Sequence, residues 1–237
     1  LAGPRLNINF VFFVGGLGAA GRPASLFVGG VGCVLGPVPK DHEDILNRLL
    51  QYHKDDEVTI MILGFEKKHL EENRYQINVC DATAVEGCLE KINTLDIVYF
   101  LGGLLPKTLD IENRDALKES QEKGIISLFR LVKGLTRKEL DNKPLQFYVW
   151  TNQVTAMAPK ETNIPNSASI LGFVKTMAKE YLYWKVSCVD FDSNDLYGEK
   201  TEALFQMLLH EPPNARGNET VIRGKKRYER SISSVFA

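Results

Sequence analysis

Pro165-Asn166-Ser167-Ala168-Ser169-Ile170-Leu171-Gly172-Phe173-Val174-Lys175-Thr176-Met177-Ala178-Lys179-Glu180-Tyr181 is the stretch from which the rest of the chain can be read. Ile170, Leu171, Val174, Met177, Ala178 and Tyr181 recur at the spacing that puts apolar side chains on one face of a helix. Pro165 suits the start of such a helix, because a residue in the first turn needs no partner for its N–H. Beyond Tyr181 the pattern changes: Lys185 to Asp192 reads as a strand leaving an acidic end.

Working outward, short apolar runs alternate with helix-spaced patterns. Leu145–Trp150, Ile97–Leu101 (followed by Gly102-Gly103) and Val58–Leu63 read as buried strands, and Tyr75–Val79 as a shorter one after a polar loop, Glu66 to Arg74. Between them lie three helical patterns. Asp41 fits an N-cap, with Glu43 and Asp44 in the first turn and a stripe of Ile45, Leu46, Leu49 and Leu50. Asp81-Ala82-Thr83 opens a second, with Val85, Cys88, Leu89 and Ile92 inward. A long third carries Leu117, Ile125, Leu128, Leu131, Val132 and Leu135. Leu204, Met207 and Leu208 mark a last helix, stopped by Pro212-Pro213. Glu219–Ile222 and Arg227–Ser231 flank Gly224-Lys225-Lys226 and read as a hairpin. Such alternation predicts an α/β fold: a doubly wound, mostly parallel sheet with helices on both faces and a C-terminal β-hairpin.

Residues 1–40 differ in composition from residues 41–237, so the chain divides there into Gly-rich N-terminal strands and an alternating α/β unit. The first part has no Asp or Glu, yet nine of the 19 glycines and four of the 10 prolines. Ile8–Val14 and Ser25–Val28 read as strands, each ending in a Gly-Gly pair. Gly15-Gly16-Leu17-Gly18-Ala19-Ala20-Gly21-Arg22 has two readings. It is either a turn whose N–H groups approach a pyrophosphate, or a glycine-rich loop between buried strands. The first needs a helix directly after the turn, and Arg22-Pro23 offers no helical spacing there.

Bulk properties exclude several classes of function. Apolar residues are 44%, charged residues 25%, and the formal net charge is −1, so nothing global points to nucleic acid or an anionic membrane. Asn7, Asn9, Arg22, Pro23 and Ser25 interrupt the one membrane-like stretch, residues 6–36. Cys33, Cys80, Cys88 and Cys188 are scattered, as are His42, His53, His69 and His210. We therefore expect free thiols in a reducing cytoplasm, no disulfide framework and no metal site. The chain starts without Met or a basic signal-peptide region, which suggests a piece of something longer. The basic cluster Arg223, Lys225, Lys226, Arg227 and Arg230 lacks interleaved aromatics, a pattern that suits a blunted sheet edge or an acidic partner better than nucleic acid.

The quoted helix resembles the active-site helix of short-chain dehydrogenases, which opens with Tyr, three small residues and Lys. Ser167, Ala168 and Ser169 keep the small residues, and the tail from Lys175 to Tyr181 is similar to the family's. Asn166 stands where the Tyr would be and Ile170 where the Lys would be. Carbonyl reduction needs a hydroxyl that donates a proton as hydride arrives, and a nearby ammonium lowers the phenol's pKa from its usual ~10. An amide does not titrate, and an isoleucine carries neither charge nor donor. The resemblance places Gln121 at the family's active-site Asn and Gln153 near its active-site Ser, with Thr151 and Thr155 as neighbouring hydroxyls. Phe100 and Leu101 replace amides on the nicotinamide side, and Asp81 matches a carboxylate against the adenine, its plainer role being a helix cap.

Several stretches together resemble one setting, the structural half of a modular polyketide synthase ketoreductase. They are Ile97 to Gly103, Ser120 through Leu135, Phe147–Thr151, Val189 to Asp192, and Asn218 to Tyr228. The last is similar to the Glu-x-x-x-Arg-x-Gly-x-Arg-Tyr segment that ends such a half. The resemblance covers roughly residues 41–232 and implies a Rossmann-like fold stripped of its site. It implies no catalytic residue and no cofactor in this chain, NADPH belonging to a catalytic subdomain that this one props up. Its partners would be that subdomain and other synthase domains, with an acidic acyl carrier protein at the basic hairpin as a further reading. The competing expectation is a stand-alone NADPH-dependent reductase using Gly15, Gly16, Gly18, Gly21 and Asp81.

Overall fold

The computed structural model describes residues 9–15, 24–28, 31–35, 40–54, 57–64, 68–71, 74–78, 80–81, 83–92, 95–105, 113–158, 161, 163–196 and 201–230. In chain order the strands are β1 (Asn9–Gly15), β2 (Ala24–Val28), β3 (Val31–Leu35), β4 (Glu57–Gly64), β5 (Lys68–Glu71), β6 (Arg74–Asn78), β7 (Ile97–Gly103), β8 (Leu145–Asn152), β9 (Trp184–Phe191), β10 (Thr220–Arg223) and β11 (Lys226–Glu229). The helices are α1 (Lys40–Tyr52), α2 (Ala84–Leu89), α3 (Arg114–Gln121), α4 (Ser127–Arg137), α5 (Ala168–Glu180) and α6 (Thr201–Leu209). Nine strands form one sheet in the order β11-β10-β9-β8-β7-β1-β4-β6-β5, and β2 and β3 pair with each other.

From β6 across to β10 every pairing is parallel, and only the two edge pairs, β5 with β6 and β10 with β11, are antiparallel. The strand order reverses between β1 and β7, the doubly wound arrangement expected from the alternation. The composition break at residue 40 is not a break in the sheet, because β1 pairs with both β4 and β7. Two strands escaped the sequence. β3 makes a hairpin with β2, and β5 occupies the connection from β4 to β6, where a doubly wound sheet ordinarily has a crossover helix.

Alternation along the central strands divides the core into two layers. Val98 and Phe100 of β7 pack with α2, α4 and α5. Tyr99 and Leu101 pack on the opposite face with α1 and α6. A strand buried on both faces must be apolar throughout, which is why Ile97–Leu101 shows no polar alternation. In α1, Ile45, Leu46 and Leu49 are buried as expected.

The long helical pattern does not stay on one face. Leu128, Leu131, Val132 and Leu135 are buried, but Ile125 is only partly so and Leu117 is exposed. A π-helical turn over Glu122–Ile126 separates α3 from α4, with Gly124 at non-helical φ −87° and ψ −106°. One extra residue per turn rotates the face by about 100°, so a stripe extrapolated through it lands on the wrong side.

Candidate site at the carboxyl edge of the sheet

Two of the four expected positions come together. Gln121, at the end of α3, donates its side-chain N–H to the Asn166 carbonyl at 2.6 Å. Ser169 Oγ donates to Gln121 Oε1 at 3.3 Å, and Asn166 Nδ2 donates to Ser120 Oγ at 3.4 Å. Asn166 sits in a short 3-10 turn, Pro165–Ser167, that leads into α5. Leu117, Gln121, Pro165, Asn166 and Ser169 line a cleft of about 370 Å³. Its polar groups are amides and hydroxyls, and none of them titrates in the physiological range.

Ile170 points elsewhere. Its side chain is fully buried, and its Cδ1 lies against two glycines: a Cβ built on Gly103 would sit 3.2 Å from it, and one on Gly124 3.5 Å. The end of β7 is packed equally closely. A Cβ on Gly102 would lie 2.5 Å from the Lys123 carbonyl and 2.6 Å from Phe100 Cζ. Phe100 is itself fully buried, so apolar contacts fill the place where the resemblance sets amides. The described residues offer neither a phenol nor an ammonium beside Asn166, and do not fit the ribose and carbonyl of a nicotinamide reaction there. Lys123, the nearest lysine in sequence to the kink, gives its ammonium to Glu119 at 2.5 Å. Burial pushes its pKa down, against the pull of that carboxylate.

Gln153 serves the backbone. It has a left-handed φ of 53°, its N–H donates to the Phe191 carbonyl at 2.9 Å, and its own carbonyl accepts from Ile164 N at 2.7 Å. Neighbouring Thr151 is fully buried, and its hydroxyl donates to Asp190 Oδ1 at 3.0 Å. Of the alternative cofactor residues, Gly15 ends β1, while Gly16, Gly18 and Gly21 lie outside the described residues. Asp81 Oδ1 accepts from Thr83 N and Thr83 Oγ1, at 2.9 and 2.8 Å, shaping the turn before α2. Asp81 therefore organises a turn two residues before Thr83, the N-cap of α2, instead of capping the helix itself. Among the described residues no group of His, Cys, Asp and Glu is placed to hold a metal ion. None of their helices is long and apolar enough to cross a membrane.

Two polar clusters were not legible as sites. Asn152 accepts from Leu105 N at 2.8 Å and donates to Leu105 O and Ser193 Oγ, at 2.7 and 2.6 Å, stapling the segment after β7 to β8 and the segment after β9. Asp190, wholly buried, accepts from Thr151 Oγ1, Val154 N, Thr155 N and the Arg223 guanidinium. The signal in sequence was present: Asp190 and Arg223 both fall in the quoted stretches, but nothing paired them.

The basic cluster is largely neutralised from within. Arg223 binds Asp190 and Glu161, Arg227 binds Glu211 and Glu229, and Arg230 lies 3.5 Å from Glu219. Lys225 and Lys226 remain at the exposed hairpin turn. Burial alone would push the Glu161 carboxyl up, but the Arg223 hydrogen bond and charge, with the Met157 N–H, hold it below the usual carboxylate range. A depressed carboxyl contributes stability in full above its unfolded value, about 4.3, and loses it as pH falls through the lower folded value. Chemical denaturation of the wild type and Glu161→Ala should therefore differ at neutral pH and converge in acid. A gap that widens on acidification contradicts the ion pair.

A model of the family described as beta-ketoacyl synthase-like, N-terminal, matches residues 40–211. Polyketide synthase PksM of Bacillus subtilis (strain 168) is 35% identical over 74 residues, 31% of this chain and 2% of that synthase. An N-terminal ketoreductase from the macrolactin assembly line superposes with a TM-score of 0.61 at 15% identity, over 99% of this chain and 42% of that one. The adenylation, ketoreductase and pseudo Asub structure of a keto acid-selecting NRPS module gives a TM-score of 0.67 at 13% identity, over 94% of this chain and 17% of that one. The chain spans about 2% of the length of the curated synthases it matches. With a family model matching residues 40–211, the chain belongs to the beta-ketoacyl synthase-like, N-terminal family, and it has the Rossmann-like fold of short-chain dehydrogenases and ketoreductases.

Proposed function

We propose that this chain is the non-catalytic structural subdomain of a cytoplasmic polyketide synthase ketoreductase, and that it scaffolds an adjacent catalytic subdomain that binds NADPH. The observation that carries this is the pair Asn166 and Ile170. One is an amide hydrogen-bonded to α3, the other an isoleucine sealed between Gly103 and Gly124. Neither can take part in moving a proton to a carbonyl. The macrolactin ketoreductase adds support, since this chain accounts for 42% of it and leaves room for a second unit.

Two measurements test the reading. Titration with NADPH, followed by nucleotide fluorescence, should give no saturable micromolar binding. Adding the catalytic subdomain of the same synthase in trans should produce a complex on gel filtration and raise the melting temperature by several degrees, as any ligand of the native state does. Micromolar NADPH binding with turnover of a ketone would favour the stand-alone reductase built on the Gly15–Gly21 turn. Absence of both complex and thermal shift would remove the scaffold.

A further inference from the structure

The segment that leaves β8 is fastened in an unusual way. It turns at Gln153, whose φ of 53° is a conformation that L-residues adopt at a cost of about 1 kcal/mol. It then runs on to Ile164, which it meets again through the Gln153 carbonyl, and so delivers Pro165 and Asn166 to the wall of the cleft. Between these points, the described residues 154–158 and 161 make hydrogen bonds outside the segment to two side chains. Val154 N and Thr155 N donate to the Asp190 carboxylate at 2.9 and 3.2 Å. The Thr155 carbonyl accepts from Arg223 Nη2 at 2.8 Å, and Glu161 accepts from Arg223 Nε. Glu161 in turn takes the Met157 N–H at 2.5 Å.

Arg223 stands at the centre of this arrangement. The same guanidinium holds Asp190 Oδ2 at 2.8 Å and the Asp190 carbonyl at 3.1 Å, and its side chain is 13% exposed. It belongs to β10, whose following residue, Gly224, donates its N–H to Asp195 at 2.6 Å. The donors of the planar Arg223 fork reach two carboxylates and the carbonyls of Thr155, Asp190 and Ile222 at once, more acceptors than the three donors of a lysine can serve. Among the described residues, the exposed tip of the segment, Ala156 to Ala158, bonds only within it, to Glu161.

We infer that Arg223 is a latch: it bolts residues 154–158 and Glu161 to the terminal hairpin, and its withdrawal lets residues 154–158 open locally while the sheet stays folded and Asn166, held separately by Gln121 and Ser120, keeps its place on the cleft. This goes beyond the scaffold reading and stands without it. Local opening of this kind is visible in amide hydrogen exchange, which resolves segments that open below the global unfolding free energy.

The experiment compares exchange in the wild type, Arg223→Met and Glu161→Ala. Arg223→Met removes the bonds to the Thr155 carbonyl and to Glu161 and leaves Asp190 buried without its counter-charge, so the amides of Val154, Thr155 and Met157 should exchange about tenfold faster or more, while those of β8 from Phe147 to Val149 change by about twofold at most. Glu161→Ala removes the outer arm alone, so Met157 should quicken while Val154 and Thr155, still on Asp190, hold their protection. If Arg223→Met does not fold, Glu161→Ala with Arg223→Lys supplies the test, the lysine keeping the charge and losing the fork. Equal acceleration of segment and β8, or no acceleration at Met157 in Glu161→Ala, overturns the latch.

Discussion

Ile170→Lys, made together with Asn166→Tyr, should lower stability by about 3–5 kcal/mol and create no ketone reductase. The double change restores the pair of residues that short-chain dehydrogenases use, yet by itself it should not produce activity. The surroundings give the reason. Position 170 is fully buried among Gly103, Gly124 and the apolar layer of α2, α4 and α5. An ammonium placed in that apolar layer loses its hydration, and a lysine in that position sheds its proton or disrupts the packing. Denaturant unfolding of the single and double variants, with a ketone reduction assay, measures both halves. A stable double variant that reduces a ketone with NADPH would mean that the site had only been silenced.

Gly102→Ala is the second large effect, at about 3 kcal/mol, because overpacking against backbone is not relieved by a rotamer change. The added methyl would lie 2.5 Å from the Lys123 carbonyl, part of the π-helical turn, and 2.6 Å from the ring of Phe100. Both must shift, and the turn that sets the phase between α3 and α4 shifts with them. Gly172→Ala supplies the contrast. Nothing lies within 4 Å of a methyl there, on the exposed side of α5, and the gain in helix propensity should stabilise by about 0.5–1 kcal/mol. Opposite signs for two Gly→Ala changes in thermal melts would show that close approach, not glycine content, governs this edge. Matching signs would contradict the packing described for β7.

How far the fold was legible depended on how local its signals were. The strands Ile97–Leu101 and Leu145–Trp150 and the helix from Ile170 announce themselves through uninterrupted apolar runs and 3.6-residue spacing. The structure has them as β7, β8 and α5. The π-helical turn was not legible, because the helix pattern continues in composition through Gly124 while its phase does not. The hairpin β2–β3 was half seen: Ser25–Val28 has strand composition and lies in β2, whereas Val31–Leu35 carries a glycine and a cysteine that dilute it. The site followed the same rule. Asn166 and Ile170 stood out because they interrupt a recognisable local motif, and Gln121 because the resemblance counts back to it from Gly124.

By itself the amino-acid sequence determined the alternation of strands and helices, the doubly wound class, and the apolar face of the helix that follows the amide of Asn166 and carries Ile170. These are properties of residue type and spacing within a dozen positions. Only the tertiary structure decided that Gln121 and Asn166 share a hydrogen bond and that Ile170, already on the apolar face by its spacing, packs against Gly103 and Gly124. It alone joined Asp190 on β9 to Arg223 on β10 and to the segment after β8. The physical reason is that buried charge and close backbone approach are satisfied between residues some 30 to 70 positions apart, and which partner arrives is set by strand order and register.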